Sequence, residues 1–336
     1  MGITQALVIV KEIGSELSMS NLITGLHHIT ALASDPQHNI DFYAGILGLR
    51  LVKKTVNFDA PEIYHLYYGN ESGAPGTILT FFPYIGIPKG RKGKGQLTVT
   101  SFSIPANAID YWLKRLEKFS VKHEQPQQRF DDEIFIYLED QDGLGLELVA
   151  NQIDARPSFT YGNIPSEYAI KGFYGITLAE ECETKTAALL VESMNHRLIK
   201  EKNNRFRFTA SAQGGEFVDI LCNPDTLQGV GGGGTIHHVA FATADDATQL
   251  QIRDNLIQNS LNVTPVLDRE YFHSIYFREP GGVLFEVATV PPGFAVDEPL
   301  AHLGRSLKLP PWYEPSRQKI EKLLTPIQLD LKRFID

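Results

Sequence analysis

The chain is long, moderately apolar and acidic. Its 336 residues are 43% hydrophobic and 21% charged, which is enough apolar sequence for more than one hydrophobic core and excludes a disordered chain. With 31 basic and 40 acidic residues the net charge is −9, so nucleic acid and anionic membranes are poor partners. The two cysteines, Cys182 and Cys222, cannot form a disulfide framework and favour a reducing compartment.

Neither a membrane span nor a signal peptide is predicted. No apolar run approaches the ~20 residues that cross a bilayer. The apolar residues 6–10 are followed by Lys11 and Glu12 rather than by a cleavage site of small residues. We therefore expect a cytoplasmic protein, with residues 1–20 as an extension outside the fold.

One pattern of a strand, a helix and further strands recurs four times along the chain, which predicts an α+β fold of four βαβββ modules. In the first module, strand Leu26–Ala33 precedes a helix that Asp35 and Pro36 open and Gly48 ends. The other modules begin with the predicted strands Gln96–Ile104, Phe173–Leu178 and Ile236–Thr243. Their predicted helices lie near Ala106–Phe119, Lys185–Asn195 and Asp246–Asn259.

The modules group into two similar halves. The predicted halves are residues 21–155 and 172–295, joined by a turn-rich linker at 156–171 and followed by a tail at 296–336. Two glycine-rich stretches, 89–95 and 229–234, precede strands rather than opening helices, so we interpret them as flexible links and not as phosphate-binding loops.

Histidine pairs open only the first and fourth modules. Alternation along a strand places His28 with Thr30 on one face, and His238 on the equivalent face of the fourth module. In the closing strand of that module, Glu286 falls on the face shared with His238. Buried imidazoles and a carboxylate are costly unless a cation binds them, so a divalent metal is predicted.

Two histidines and a carboxylate form the facial triad of Fe(II) oxygenases, which leaves coordination positions open, although zinc or manganese accepts the same ligands. His27 and His237 either support these ligands or are simply exposed. Tyr276 either bonds a phenolic substrate oxygen or is an amphipathic strand tyrosine, and Arg269 either stabilises anionic oxygen or is solvated. Glu147, at the acidic position of the second module, is predicted to mark a lost site or to be a structural remnant.

The motifs resemble a known superfamily. They are the run from His27-His28-Ile29-Thr30 to Leu47-Gly48-Leu49-Arg50, the His237-His238-Val239-Ala240-Phe241 strand, and Tyr276 to Glu286 with Pro280-Gly281-Gly282 between them. Together they resemble the glyoxalase or vicinal-oxygen-chelate superfamily, and within it the dioxygenases that open hydroquinones.

The resemblance implies iron ligands at His28, His238 and Glu286, which requires modules one and four to face each other. It further implies supporting roles for His27, His237, Thr30 and Arg269, and a substrate-side role for Tyr276. Enzymes that cleave catechol take a ligand from the third module, where this chain has Tyr174-Gly175, so catechol is the weaker substrate expectation.

The leading hypothesis is an Fe(II)-dependent dioxygenase that inserts both atoms of O2 into a small hydroquinone-type ring, for catabolism or for quinone detoxification. One alternative is a zinc-, nickel- or manganese-dependent glyoxalase-like lyase, isomerase or thiol transferase, whose usual site has a fourth protein ligand. Another is a metal-free protein that sequesters small aromatic molecules. Homo-oligomerisation is left open.

Overall fold

The computed structural model describes residues 22–159, 162–210 and 216–335. The predicted extension at residues 1–20 lies outside the described residues. Sixteen strands are present in the described part of the chain: β1 (Gly25–Ala33), β2 (Arg50–Asn57), β3 (Ala60–Gly69), β4 (Ile78–Pro83), β5 (Gln96–Pro105), β6 (Gln127–Arg129), β7 (Glu133–Glu139), β8 (Gly145–Asn151), β9 (Gly172–Glu180), β10 (Arg197–Lys202), β11 (Arg205–Thr209), β12 (Phe217–Cys222), β13 (Thr235–Thr243), β14 (Leu267–Asp268), β15 (Phe272–Arg278) and β16 (Leu284–Pro292).

The helices are short. They are α1 (Pro36–Ile40), α2 (Ile109–Lys118), α3 (Thr184–Glu192), α4 (Asp246–Gln258) and α5 (Arg317–Leu323). The Asp35 side chain accepts a hydrogen bond from the His38 backbone and so begins α1. The predicted first helix then changes to a π-helical turn at Asp41–Ile46. No helix in the described ranges is long and apolar enough to cross a membrane.

The α+β fold of βαβββ modules is confirmed. The strands form two sheets of eight, in the orders β14-β15-β16-β13-β1-β4-β3-β2 and β10-β11-β12-β9-β5-β8-β7-β6. Each sheet therefore joins one module from each half of the sequence: modules one and four share the first sheet, and modules two and three share the second. The boundaries of the two halves remain a prediction.

Three strands at or near the sheet edges were not predicted from the sequence, namely β6, β10 and β14. Their side chains are largely exposed, so they lack the apolar alternation by which a half-buried strand is recognised. The central strands are easily recognised because one face is packed in the core, where Ile29, Val239 and Phe285 are fully buried.

Both pairs of central strands carry β-bulges. In the antiparallel pairing of β1 with β13, the register shifts between Leu26 and His28, which leaves His27 as the extra residue of β1. A second shift leaves His237 as the extra residue of β13. In the second sheet, β5 and β9 shift in the same way at Thr98 and Tyr174. A bulge bends its strand and redirects side chains, so simple alternation fails at all four positions.

The two glycine-rich stretches pair with each other, contrary to the expectation of flexible links. Isolated bridges join Lys89 to Gly233 and Arg91 to Val230. A Cβ on Gly93 would lie 2.2 Å from the Leu227 carbonyl oxygen, so glycine is needed for this close approach. The segments connect the two sheets of the molecule and are fixed by their backbones.

The tail packs along module one. Lys53 of β2 is fully buried, and its Nζ lies 2.5 Å from Asp297 Oδ1 and 3.1 Å from Glu298 Oε2. The Tyr313 hydroxyl donates to the Phe58 carbonyl oxygen at 2.8 Å, next to the turn between β2 and β3. The tail thus supports that turn.

Candidate metal centre and its cavity

Three predicted ligands from different strands meet in the first sheet. His28 lies on β1, His238 on β13 and Glu286 on β16, and one potential ligand atom of each lies within 4.8 Å of the others. The Nε2 atoms of His28 and His238 are 3.3 Å apart, and they lie 3.3 and 3.1 Å from Glu286 Oε2. The pairings of β1 with β13 and of β13 with β16 produce this convergence.

The bulges place His27 and His237 beside the predicted ligands that follow them in sequence. His27 Nδ1 lies 2.9 Å from His28 Nδ1, and His237 Nδ1 lies 2.8 Å from His238 Nδ1. If the Nδ1 proton of each predicted ligand is donated to its neighbour, its Nε2 is unprotonated and free to bind a cation. His27 is buried and His237 exposed, so the two neighbours do not share one environment. Burial, and then the proximity of His28, lowers the pKa of His27 to about 3, so this ring is neutral.

Glu286 supports a metal interpretation. It is fully buried, and within the described part of the chain its Oε2 makes no hydrogen bond although two imidazole nitrogens lie beside it. Burial alone would raise the pKa of this carboxyl, but His28 and His238 hold the pKa well below its usual range. The Ser274 hydroxyl donates to Glu286 Oε1 and fixes the other oxygen. An unpaired carboxylate oxygen facing two imidazoles is a suitable donor set for a divalent cation.

A cavity of about 440 Å³ opens onto this cluster. Its walls include the rings of Phe58, Phe82 and Phe272 together with polar groups from β3 and from the segment before β15. That size and the aromatic rings in the walls suit a small aromatic molecule, and the polar side chains among them can bind its substituents.

Tyr276 and Arg269 both line the cavity and contact each other. Arg269 Nε lies 3.3 Å from the Tyr276 hydroxyl. Burial, and then the Glu286 carboxylate, raises the pKa of Tyr276 well above its ordinary value, so the hydroxyl stays protonated and can donate. Arg269 also reaches Asp59 at 3.4 Å and is therefore not simply solvated.

Thr30 is paired opposite His238 across the strands, and its side chain bonds to β4. Its Oγ1 lies 2.9 Å from Thr80 Oγ1, which in turn lies 2.8 Å from His65 Nε2. The Tyr67 hydroxyl lies 2.8 Å from His65 Nδ1. Sequence reasoning missed Ser274, His65 and Tyr67, because no local pattern distinguishes them and only the strand register brings them to the cavity.

The second sheet has ion pairs in the equivalent place. Glu147 accepts two hydrogen bonds of 3.0 Å from Arg129 and one of 2.6 Å from Ser101. The positions that follow the Thr98 and Tyr174 bulges are Val99 and Gly175, which offer no ligand atoms. Glu147 is thus a structural residue paired with a guanidinium.

Comparison with known proteins identifies the family of the chain. Residues 25–148 match the Glyoxalase/Bleomycin resistance protein/Dioxygenase superfamily. A Bacillus subtilis protein named "Putative ring-cleaving dioxygenase MhqO" is 45% identical over 93% of this chain and 99% of its own length. The chain belongs to this superfamily. Within it, the chain is an enzyme of the ring-cleaving dioxygenase group.

Three further proteins are similar to this dioxygenase in sequence or in fold. The chlorohydroquinone/hydroquinone 1,2-dioxygenase of Sphingobium indicum is 32% identical over 89% of this chain and 95% of its own length. A solved structure of a Bacillus subtilis protein, also named a putative dioxygenase, superposes with a TM-score of 0.87 at 46% identity, covering 92% of this chain and 98% of that one. Glyoxalase I from Zea mays shares the fold at 12% identity, with a TM-score of 0.61 over 79% of this chain and 92% of its own.

Proposed function

We propose that this enzyme is an Fe(II)-dependent dioxygenase that cleaves the ring of a hydroquinone-type substrate with O2. The observation that carries the proposal is the buried cluster of His28, His238 and Glu286 at the end of an aromatic cavity. The relative named for chlorohydroquinone and hydroquinone supports the substrate class.

His28, His238 and Glu286 would hold the iron. Bound Fe(II) with open coordination positions would supply the site at which O2 reacts with an aromatic diol, and the diol itself would provide the electrons. Three protein ligands leave such positions free.

The surrounding residues orient the substrate. Tyr276, which stays protonated, can donate to a phenolic or phenolate oxygen, and the adjacent Arg269 provides a fixed positive charge for anionic oxygen. The phenyl rings of Phe82 and Phe272 line the cavity and exclude water from the flat faces of the substrate. Together these groups bind one ring with its hydroxyl directed at the three predicted ligands.

The glyoxalase-like alternative is less well supported. Its usual site has a fourth protein ligand, whereas the cluster found in residues 22–159, 162–210 and 216–335 has three members. The binding-protein alternative gives no reason for an unpaired, fully buried carboxylate oxygen beside two imidazoles.

The first test is metal content and oxygen uptake. Protein purified without oxygen should contain about one iron per chain and should consume O2 with hydroquinone faster than with catechol. His28→Ala, His238→Ala and Glu286→Ala should each lose both the iron and the uptake. His38→Ala, which removes an exposed histidine from α1, is the control and should keep both. Turnover that survives loss of the three ligands, or that requires only zinc, contradicts the proposal.

A further inference from the structure

Four side chains form a hydrogen-bonded chain in the cavity wall beside the predicted metal ligands. It runs from Thr30 through Thr80 and His65 to the Tyr67 hydroxyl, with successive distances of 2.9, 2.8 and 2.8 Å. His65 and Tyr67 both line the cavity. This series of hydrogen bonds therefore ends on a hydroxyl at the cavity surface.

The strand register builds this chain. Thr30 of β1 pairs with Thr80 of β4, and Thr80 pairs with Tyr67 of β3. Neighbouring strands are about 4.8 Å apart, so Tyr67 lies two strands, or roughly 10 Å of sheet, from the strand that carries His28. Tyr276 lies on β15, on the opposite side of β1 in the same sheet. Two cavity-lining phenols thus flank the cluster from opposite directions.

His65 holds the Tyr67 hydroxyl in place. Both of its ring nitrogens are used, one by Thr80 and one by Tyr67, so the imidazole cannot rotate without breaking a hydrogen bond. Burial, followed by the proximity of His28 and His238, lowers the pKa of His65 well below its usual value, so the ring is neutral.

The Tyr67 hydroxyl retains unused bonding capacity. A phenolic hydroxyl donates one hydrogen bond and accepts others, and among the described residues the Tyr67 hydroxyl bonds to His65, at 2.8 Å. If Tyr67 donates to His65, it can accept from a ligand hydroxyl. If His65 donates, Tyr67 can donate to a ligand oxygen.

We propose that Tyr67 binds the ring hydroxyl that lies farthest from the metal ligands, with His65 as its positioning residue. The inference rests on the proposed function and deepens it. The two hydroxyls of a hydroquinone are at opposite ends of the ring, so one can face His28, His238 and Glu286 while the other reaches Tyr67. The adjacent hydroxyls of a catechol cannot be separated in this way, so this contact selects hydroquinones.

The test compares two ligands that differ by one hydroxyl. Calorimetry without oxygen on the metal-loaded protein measures the binding of hydroquinone and of phenol, which lacks the second hydroxyl. Tyr67→Phe should weaken hydroquinone binding about 5- to 10-fold, the effect of one neutral hydrogen bond, and change phenol binding less than twofold. His65→Leu should have the same selective effect, and His65→Gln, which keeps an amide donor and acceptor, should restore part of it.

Tyr68→Phe is the matched control. Tyr68 is the next residue on β3, is fully buried, and donates to Asn39 Oδ1 at 2.9 Å rather than to the cavity chain. Its substitution should lower stability yet leave both affinities unchanged.

The outcomes separate this inference from the proposed function. If Tyr67→Phe weakens the binding of both ligands equally, or of neither, the proposed role of Tyr67 is contradicted even when the wild type cleaves hydroquinone. If the wild type binds hydroquinone selectively but consumes no O2 with it, the dioxygenase proposal fails while the Tyr67 contact stands.

Discussion

Single hydrogen bonds determine where the candidate ligands point. Ser274 and Glu286 lie on adjacent strands, and the serine hydroxyl donates to the carboxylate oxygen that faces away from the two histidines. This bond fixes the carboxylate rotamer and leaves Oε2 directed at the imidazoles. Groups that orient a ligand in this way commonly contribute 10- to 100-fold to metal affinity.

We therefore expect Ser274→Ala to lower iron affinity about 10-fold or more, measured by competition with a chelator of known affinity. The second sheet offers a matched control. Ser101 of β5 donates to Glu147, the glutamate of that sheet, at 2.6 Å, and Ser101→Ala should leave iron affinity unchanged. Equal affinities in the two variants would contradict an orienting role for Ser274.

The sequence predicted the three candidate ligands but only part of their surroundings. Recurrence of the histidine pair in two modules identified His28 and His238, since the same position was polar twice. Alternation separated His27 from His28, whereas the bulge brings their Nδ1 atoms within 2.9 Å. A bulge depends on pairing with a strand about two hundred residues away, which no local pattern records.

At the level of the sheet, the second sheet carries a network of buried charged pairs. Arg207 Nε lies 2.6 Å from Asp219 Oδ1, and its Nη1 lies 2.5 Å from Glu133 Oε2, with all three side chains buried. Three arginines, Arg129, Arg205 and Arg207, face the three carboxylates Glu133, Glu147 and Asp219. The network is therefore neutral as a whole.

Arg207→Leu should destabilise the protein by about 3–5 kcal/mol, because it leaves the three buried carboxylates with two guanidinium groups and an uncompensated negative charge. Urea unfolding measures the change. Lys200→Ala, which removes a partly exposed pair with Asp132, should cost less than about 1 kcal/mol. Both variants should have normal metal content when folded. Loss of iron from folded Arg207→Leu would show that metal binding in the first sheet depends on the second.

The junction between α3 and β10 contains a buried neutral histidine, His196, whose Nδ1 lies 2.7 Å from the Met194 carbonyl oxygen. Burial lowers the pKa of His196 from 6.5 to about 4. Between these values the unfolded chain binds a proton that the folded chain does not, so stability falls as the pH drops from 6.5 to about 4.

The loss should reach about 3 kcal/mol at the acid end of this range. Unfolding by urea at several pH values measures it, and His196→Gln should have a flatter dependence over the same range. An identical slope in the variant would assign the pH effect to other groups.

For the whole molecule, the repeat predicted the modules but not how the sheets divide the sequence. Residue patterns identified each module because its strands and helix are local. The pairing of module one with module four came only from the family resemblance, since contacts such as Ile29 with Val239 leave no trace in the spacing of residues.

This pairing makes the candidate metal centre depend on both halves. A chain cleaved within the linker 156–171 yields one fragment with His28 and another with His238 and Glu286. Neither fragment alone should retain iron through desalting, and the two mixed should retain it, as measured by metal analysis. Full retention by either fragment would contradict a shared site.

The pseudo-symmetry of the two sheets has a practical consequence for protein engineering. A metal site at the equivalent place between β5 and β9 would require histidines instead of Val99 and Gly175. Glu147 is already present as the acidic ligand. A Cβ at Gly175 would come within 2.6 Å of the Phe217 carbonyl oxygen, and Arg129 already occupies the carboxylate. The second sheet thus cannot bind a metal here as it stands, because the backbone is crowded at Gly175 and a guanidinium already pairs with Glu147. A metal site would require both obstacles to be removed together.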